Sequence, residues 1–528
     1  MKDFNVVAIE GSECVHHPKA QSIGPTDAHQ LIEISIYLTP RKPLKVRDMI
    51  PQQLSHAEFA REFGAETHHL HLVREFAQAH RLHVLERGNE VPRRMITLAG
   101  TAGALEKAFS VELKEYQHEE GAYRGYEGPL RLPEHLAPCV QSILGLCNRI
   151  QSRHQVRYRA RIASSFDDRA TNQSMTATQA CRTYEFPADA VGEGQRIGFV
   201  ELGGGFRPGD LRDFCERMGV PSPAVKVISI DHARNQPSSP ETADMAVASD
   251  LEIAACAAPG VEEIVYLAPN TSRGFVNAMS CAVHDELNCI SVLCIGWGNA
   301  ECNWSGQAMD TVNSIAQEAA MLGITVVAPA GDMGIEDGVG DGNCHIDFPA
   351  SSPYIIACGA SELELRGRDD GKLEAAWDDG QAGATGGGFS EVFERPDWQS
   401  QIDDNRGRGV PDIAMNASPT TGYEVMIDGE WRVAGGTGVA VPMFAGLMIL
   451  LNRKLNTRLG FISPMLYALN RDACFNNITY TTPGWNTVGG MGSPVGVDMA
   501  VGLSSLIPRP PRPVGSEASE KRQFGNVA

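Results

Sequence analysis

The sequence predicts an α/β protein: a parallel sheet flanked by helices, preceded by a small α+β unit. Three observations carry that reading. Past about Thr176, short apolar runs recur between Gly-rich turns and helical segments, as in Arg196-Ile197-Gly198-Phe199-Val200, Ile290-Ser291-Val292-Leu293-Cys294-Ile295 and Ile324-Thr325-Val326-Val327-Ala328. Continuous apolar runs alternating with helices mark strands buried on both faces of a layered structure. Before residue 150 the texture differs, with half-buried strand patterns mixed among amphipathic helices, and a polar, Arg-bearing stretch separates the two regions.

Taken in order, residues 1–30 read as irregular. Leu31 to Leu38 alternates apolar and polar side chains like a half-buried strand. Ser55 to Phe63 and Leu72 to Ala77 have helical spacing, and Ser55 with Glu58 three residues on forms a capping box. Arg81 to Leu85 reads as a short strand. Met95 to Gly100 followed by Thr101 to Leu105 reads as strand, turn and helix. These elements make residues 31–150 one α+β domain. The stretch 151–175, with Arg153, Arg157, Arg159, Arg161 and Arg169, has little apolar periodicity and reads as a linker. Residues 176–506 form the larger α/β domain, and the Pro-rich tail 507–528 reads as disordered.

Composition narrows the function. The chain has 528 residues, 42% hydrophobic and 21% charged, with a formal net charge of −20. A strongly acidic chain lacks the basic footprint that nucleic acid or an anionic membrane requires. No run approaches the roughly 18 apolar residues of a membrane span. The N-terminal residues show no apolar core with a small-residue cleavage site, so a cytoplasmic location is expected. Thirteen cysteines, scattered and without a CxxC pair, fit buried small hydrophobes in a reducing compartment better than a disulfide framework. Twelve of the fifteen histidines precede residue 155; without supporting Cys or carboxylate spacing they read as a solvated polar surface rather than a metal site.

Several motifs occur together and in a fixed order: Val200-Glu201-Leu202-Gly203-Gly204-Gly205, Ala258-Pro259-Gly260, Gly296-Trp297-Gly298, Ala330-Gly331-Asp332, Asp347-Phe348-Pro349-Ala350, Thr385-Gly386-Gly387-Gly388 and Gly435-Gly436-Thr437-Gly438. Together they resemble the kumamolisin branch of the sedolisins, the serine-carboxyl peptidases, and residues 31–150 resemble the family's propeptide. The resemblance implies a subtilisin-like α/β domain with a Ser, Glu and Asp triad and a further Asp in the oxyanion hole. The family's Glu and Asp lie four residues apart on one helix, which sets both carboxylates on one face where they can share a proton and activate the Ser hydroxyl.

Carried over residue by residue, the pattern breaks at the chemistry. Asp250 matches the triad Asp, but Ala246 stands where the family has Glu. Gly438 stands at the nucleophile position. Asp332 matches the oxyanion Asp, and Glu201 and Trp297 match residues that support the carboxylates. Thr437, Glu241, Asp244, Glu252 and Cys256 offer no replacement with the right spacing; Glu252 is about 200° around the helix from Asp250. Asn477-Ile478 and Gly484-Trp485-Asn486 resemble pieces of the family's calcium site, where the family has Asp at both Asn positions. Calcium prefers several hard oxygens with net negative charge, so a neutral loop closed by Asn hydrogen bonds is expected there, with retained calcium as the alternative and no other cofactor.

The resulting expectation is a pseudopeptidase that binds peptide or a peptide-like ligand in its retained cleft, with its own propeptide still attached because it cannot process itself. Two alternatives stay open: a repurposed enzyme using Asp250 and Asp332 for acid–base chemistry, and unconventional residual peptidase activity.

Overall fold

A computed structural model of the chain describes residues 5–46, 53–119, 121–160, 174–238, 243–365, 372–380, 383–402, 406–479, 481 and 484–507. Its centre is an eight-stranded sheet. The order is Val225–Ser229, Glu262–Leu267, Arg196–Glu201, Val292–Ile295, Thr325–Pro329, Ile356–Leu365 and Lys372–Ala376, with Ile413–Asn416 pairing beside Ile356–Leu365. All neighbours run parallel except Lys372–Ala376, which is antiparallel. The three apolar runs read from the sequence supply strands of this sheet, and apart from Arg196 their residues are buried.

Helices cover both faces. Asp244–Ala257 and Thr437–Leu455 pack together on one side, and Ser272–Val283 and Gly306–Met321 on the other. Asp244–Ala257 is buried at every position. Thr437–Leu455 is long and apolar enough to cross a membrane by length and composition alone, yet 83% of its apolar window is buried inside the fold. It is apolar all round because protein surrounds it.

The strand order places Arg196–Glu201 between Glu262–Leu267 on one side and Val292–Ile295 on the other. Successive crossovers therefore leave in opposite directions from this strand. In open parallel sheets, ligands bind outside the carboxyl ends of the strands at such a switch. Glu201, Gly296-Trp297 and Ala330-Gly331-Asp332 all stand at those ends.

The N-terminal unit is a four-stranded antiparallel sheet, His83–Leu85, Met95–Thr101, Leu31–Leu38 and Val140–Leu144. Helices His56–Glu62, Thr67–Ala79 and Ala102–Phe109 belong to it, and Ser55 and Glu58 form the capping box read from the sequence. The expectation of irregular chain up to residue 30 fails at two places. Val6–Ala8 pairs with Arg131–Pro133, and Gln21–Pro25 pairs with Leu113–His118. Neither segment has the apolar alternation of a free-standing strand; each is held by its partner's backbone.

This unit sits on Ser272–Val283 and Gly306–Met321. Tyr37 Oη donates to Asn277 Oδ1 at 3.0 Å, and Arg93 Nε donates to Ser280 Oγ at 3.1 Å. The Gln307 side chain holds both the N–H and the C=O of Ile143, each at 3.0 Å. Arg94 is fully buried and paired with Glu318, whose second oxygen meets His284 Nε2 at 2.7 Å. The linker expectation also needs correction. Arg153–His154 pairs antiparallel with Trp297–Ala300, and Arg157–Ala160 pairs antiparallel with Glu430–Gly435. Its remainder, 161–173, and the tail from 508 lie outside the described residues.

Candidate active site

Asp250 sits in the middle of a fully buried helix, with Ala246 one turn earlier and wholly buried. Trp297 Nε1 donates to Glu201 Oε2 at 2.9 Å. The carboxyls of Glu201 and Asp250 are buried together, with Glu201 Oε1 and both Asp250 oxygens left without a further hydrogen-bond partner among the described residues. Burial is the first cause of lifting both groups; it takes Glu201 to about 7, and the Glu201 charge pushes Asp250 up further. Gly296 closes over the pair, since a Cβ there would stand 2.9 Å from Asp250 Oδ2. Glu252 points away from this group, as its helical angle requires, and accepts the Met426 N–H at 2.8 Å. Asp244 accepts the Ser238 N–H at 2.6 Å, and Glu241 lies outside the described residues.

Asp332 is buried beside the start of the helix Thr437–Leu455. Its Oδ1 accepts the Thr437 N–H at 2.6 Å and the Thr437 hydroxyl at 2.8 Å, and its Oδ2 lies 3.3 Å from Arg157 Nε. Burial raises Asp332 to about 6 although Thr437 and Arg157 both favour the carboxylate. The Thr437 hydroxyl is thus committed to Asp332. Gly436 has φ of 91°, and a Cβ on it would stand 2.6 Å from the Gln155 carbonyl oxygen. Only glycine satisfies both demands.

Gln155 is the residue that sequence reasoning missed. Its N–H donates to the Gly296 carbonyl at 3.1 Å, and its carbonyl accepts the Gly438 N–H at 2.6 Å. The 153–157 segment therefore runs between the Asp250 group and the Asp332 group, with the Gln155 carbonyl seated against Gly438. The Gln155 side-chain amide donates to Asp347 Oδ2 at 3.0 Å. Gly298 makes room for Asp347, whose oxygen occupies the place of the missing Cβ. Asp347 and Asp337 are buried together, and burial lifts both carboxyls well above the usual range; after burial, the Asp332 charge adds to the rise at Asp337, and the Asp337 charge to that at Asp347. The Arg153 charge opposes that rise at Asp337.

In an extended strand, alternate side chains share a face. Gln155 and Arg157 accordingly meet Asp347 and Asp332, and the Arg153 charge acts on Asp337. The signal available in the sequence was a basic residue at 153, 157, 159 and 161 in an otherwise acidic chain. Asp347 stood in a recognised motif, but nothing in that motif says that its carboxylate meets the linker.

The residues at the degenerate calcium position are used otherwise. Asn486 Oδ1 accepts the N–H groups of Val488 at 3.1 Å and Gly489 at 2.8 Å, and the Ile478 carbonyl accepts the Thr481 hydroxyl at 2.6 Å. With no carboxylate in Asn477, Ile478, Gly484 and Asn486 and these oxygens engaged locally, the residues present do not fit the ion.

Residues 18–149 match the family model described as pro-kumamolisin, activation domain. The chain is 37% identical to kumamolisin of Bacillus sp. (strain MN-32), covering 93% of this chain and 94% of that protein. The chain belongs to the sedolisin family. It is also 27% identical to sedolisin of Pseudomonas sp. (strain 101), over 77% of this chain and 73% of that protein. The solved Pseudomonas sedolisin, a serine-carboxyl proteinase complexed with two molecules of pseudo-iodotyrostatin, superposes with a TM-score of 0.57 at 24% identity. It covers 64% of this chain and 99% of that one, which establishes the shared fold. The N-terminal unit is accordingly a sedolisin-family propeptide domain, and the eight-stranded sheet with its helices is the subtilisin-like domain.

Proposed function

We propose that this sedolisin-family chain is a pseudopeptidase: its cleft holds an extended peptide by backbone pairing and does not cut it. The observation that carries this reading is the Gln155 carbonyl on the Gly438 N–H, with no side chain at residue 438 to attack it. The neighbouring Thr437 hydroxyl is tied to Asp332, and Ala246 offers no base to Asp250. In subtilisin, loss of the nucleophile alone costs about 10⁶ in turnover; here nucleophile and base positions are both empty of function. The chain's own residues 153–157 are the resting occupant, and the ligand that competes with them is an extended peptide with basic or amide side chains at alternate positions.

The test uses a fluorescent peptide with the sequence of residues 151–160. It is expected to bind the Arg157→Glu chain, whose own linker is repelled by Asp332, more tightly than the native chain, and to be recovered uncut. Hydrolysis of the peptide by the native chain would overturn the reading. So would equal binding to a chain carrying Gln155→Ala, Arg157→Glu and Asp347→Ala together.

One observation favours a second reading, acid–base chemistry by the inherited carboxyls. The Glu201–Asp250 pair retains a proton near neutrality and Asp332 titrates at about 6. Substrate conversion that is lost in Asp250→Asn would support this reading; ligand binding that survives Asp250→Asn supports the pseudopeptidase.

A further inference from the structure

Outside the cleft, Cys14 and Cys147 lie 133 residues apart in sequence, with their sulfurs 2.7 Å apart. The N-terminal arm is pinned on either side of Cys14. Ile9 N–H donates to the Leu130 carbonyl at 2.8 Å, Leu130 N–H donates to Ser12 Oγ at 2.9 Å, and Tyr126 Oη donates to the Ser12 carbonyl at 2.5 Å. Beyond the cysteine, His16 Nε2 meets the Tyr126 carbonyl at 3.0 Å. Gly125 leaves the space into which Cys14 points, since a Cβ there would stand 3.3 Å from its sulfur. Cys147 follows the strand Val140–Leu144 and precedes the linker. The backbone on both sides thus presents one sulfur to the other, in a surface cleft that Tyr126, Arg149, Gln151 and Gln307 also line. Neither cysteine is fully buried, so a small reagent can reach the pair.

We propose that Cys14 and Cys147 are a dithiol site that a small-molecule disulfide of the glutathione class oxidises to an intramolecular disulfide. The Cys147 thiolate attacks one sulfur of the reagent, forming a mixed disulfide and expelling one thiolate. Cys14 gives up its proton, its sulfur attacks the Cys147 sulfur, and the second thiolate leaves. Two protein thiols and one small disulfide become one protein disulfide and two small thiols. The pair is polarised for this order of events: the Cys14 hydrogen bond holds the Cys147 thiol below its usual range, while Cys14, as its donor, is pushed up. The charges of Arg149 and Arg124 favour the Cys147 thiolate as well. The product fastens the arm whose Gly11 carbonyl caps the Gln307 N–H at 2.9 Å, so it links the propeptide unit to the segment that contacts the larger domain.

The test is disulfide mapping of the intact chain, incubated with oxidised or reduced glutathione, quenched by alkylation and digested. After oxidation, a peptide pair joined through Cys14 and Cys147 is expected, lighter by two hydrogens, and absent after reduction. In Cys14→Ser, Cys147 is expected to keep a glutathione adduct that the native chain loses. If both cysteines are instead alkylated after oxidation, or if either is joined to another cysteine such as the exposed Cys302 or Cys344, the proposal fails.

Discussion

At the scale of single residues, Gly438 decides more than any other position. A Cβ there would stand 2.8 Å from the carbonyl carbon of Gln155, which is backbone and cannot rotate away. Gly438→Ala is therefore expected to push the linker out of its seat at an overpacking cost of about 1–3 kcal/mol. Hydrogen exchange at residues 153–157 would report the change; unchanged protection there would contradict the assigned geometry. The carboxyls around the seat give a second expectation. Glu201 is raised from 4.5 to about 7, and Asp332 from 3.8 to about 6. A group whose pKa is raised on folding contributes stability below its unfolded pKa and loses it as pH rises through the folded value. The larger domain is expected to lose stability between about pH 4 and pH 7 on this account. Asp250→Asn, which removes one member of the pair, is expected to flatten the loss in a urea titration across that range. Asp332, Glu201 and Trp297 were read from the motifs that contain them, and Asp250 from its place ten residues before Gly260. Gln155 and Arg157 were not, because their importance lies in what stands opposite them.

At the scale of elements, strands and helices with their own apolar pattern were legible, and those completed by a partner were not. The capping box at Ser55 and the apolar run at Val292 to Ile295 need no tertiary information. Arg153–His154 and Arg157–Ala160 become strands only because Trp297–Ala300 and Glu430–Gly435 present free edges to them. The same dependence holds for Val6–Ala8. The interface between the propeptide unit and the helix Gly306–Met321 turns on a buried charge, Glu318. Burial alone would raise its pKa, but Arg94 first and His284 next outweigh that and hold it low. A depressed carboxylate contributes stability above its unfolded pKa and loses it as pH falls. The interface is thus expected to weaken in acid, the reverse of the trend at Glu201 and Asp332. Glu318→Ala leaves Arg94 buried without its counter-charge, at a cost of about 3–5 kcal/mol. Limited proteolysis of the N-terminal unit at neutral pH is expected to accelerate in that variant and to match the native chain's behaviour in acid.

At the scale of the whole molecule, the four-stranded and eight-stranded sheets are joined by the helices between them, and residues 153–157, which follow the N-terminal unit, lie in the cleft of the larger one. The larger domain has a switch-point crevice, a buried carboxyl pair and a glycine turn before Thr437. What occupies the crevice is the protein's own backbone. The order of motifs made the fold and the propeptide legible, whereas the occupied cleft emerges only when residues 153–157, 296–298 and 435–438 are brought together. On the proposed function, this occupant is held and not cut. The most direct measurement is the intact mass of the purified chain after prolonged incubation at pH 4 and at pH 7. An unchanged mass at both is the expected result; release of an N-terminal fragment ending at Gln155 would contradict it.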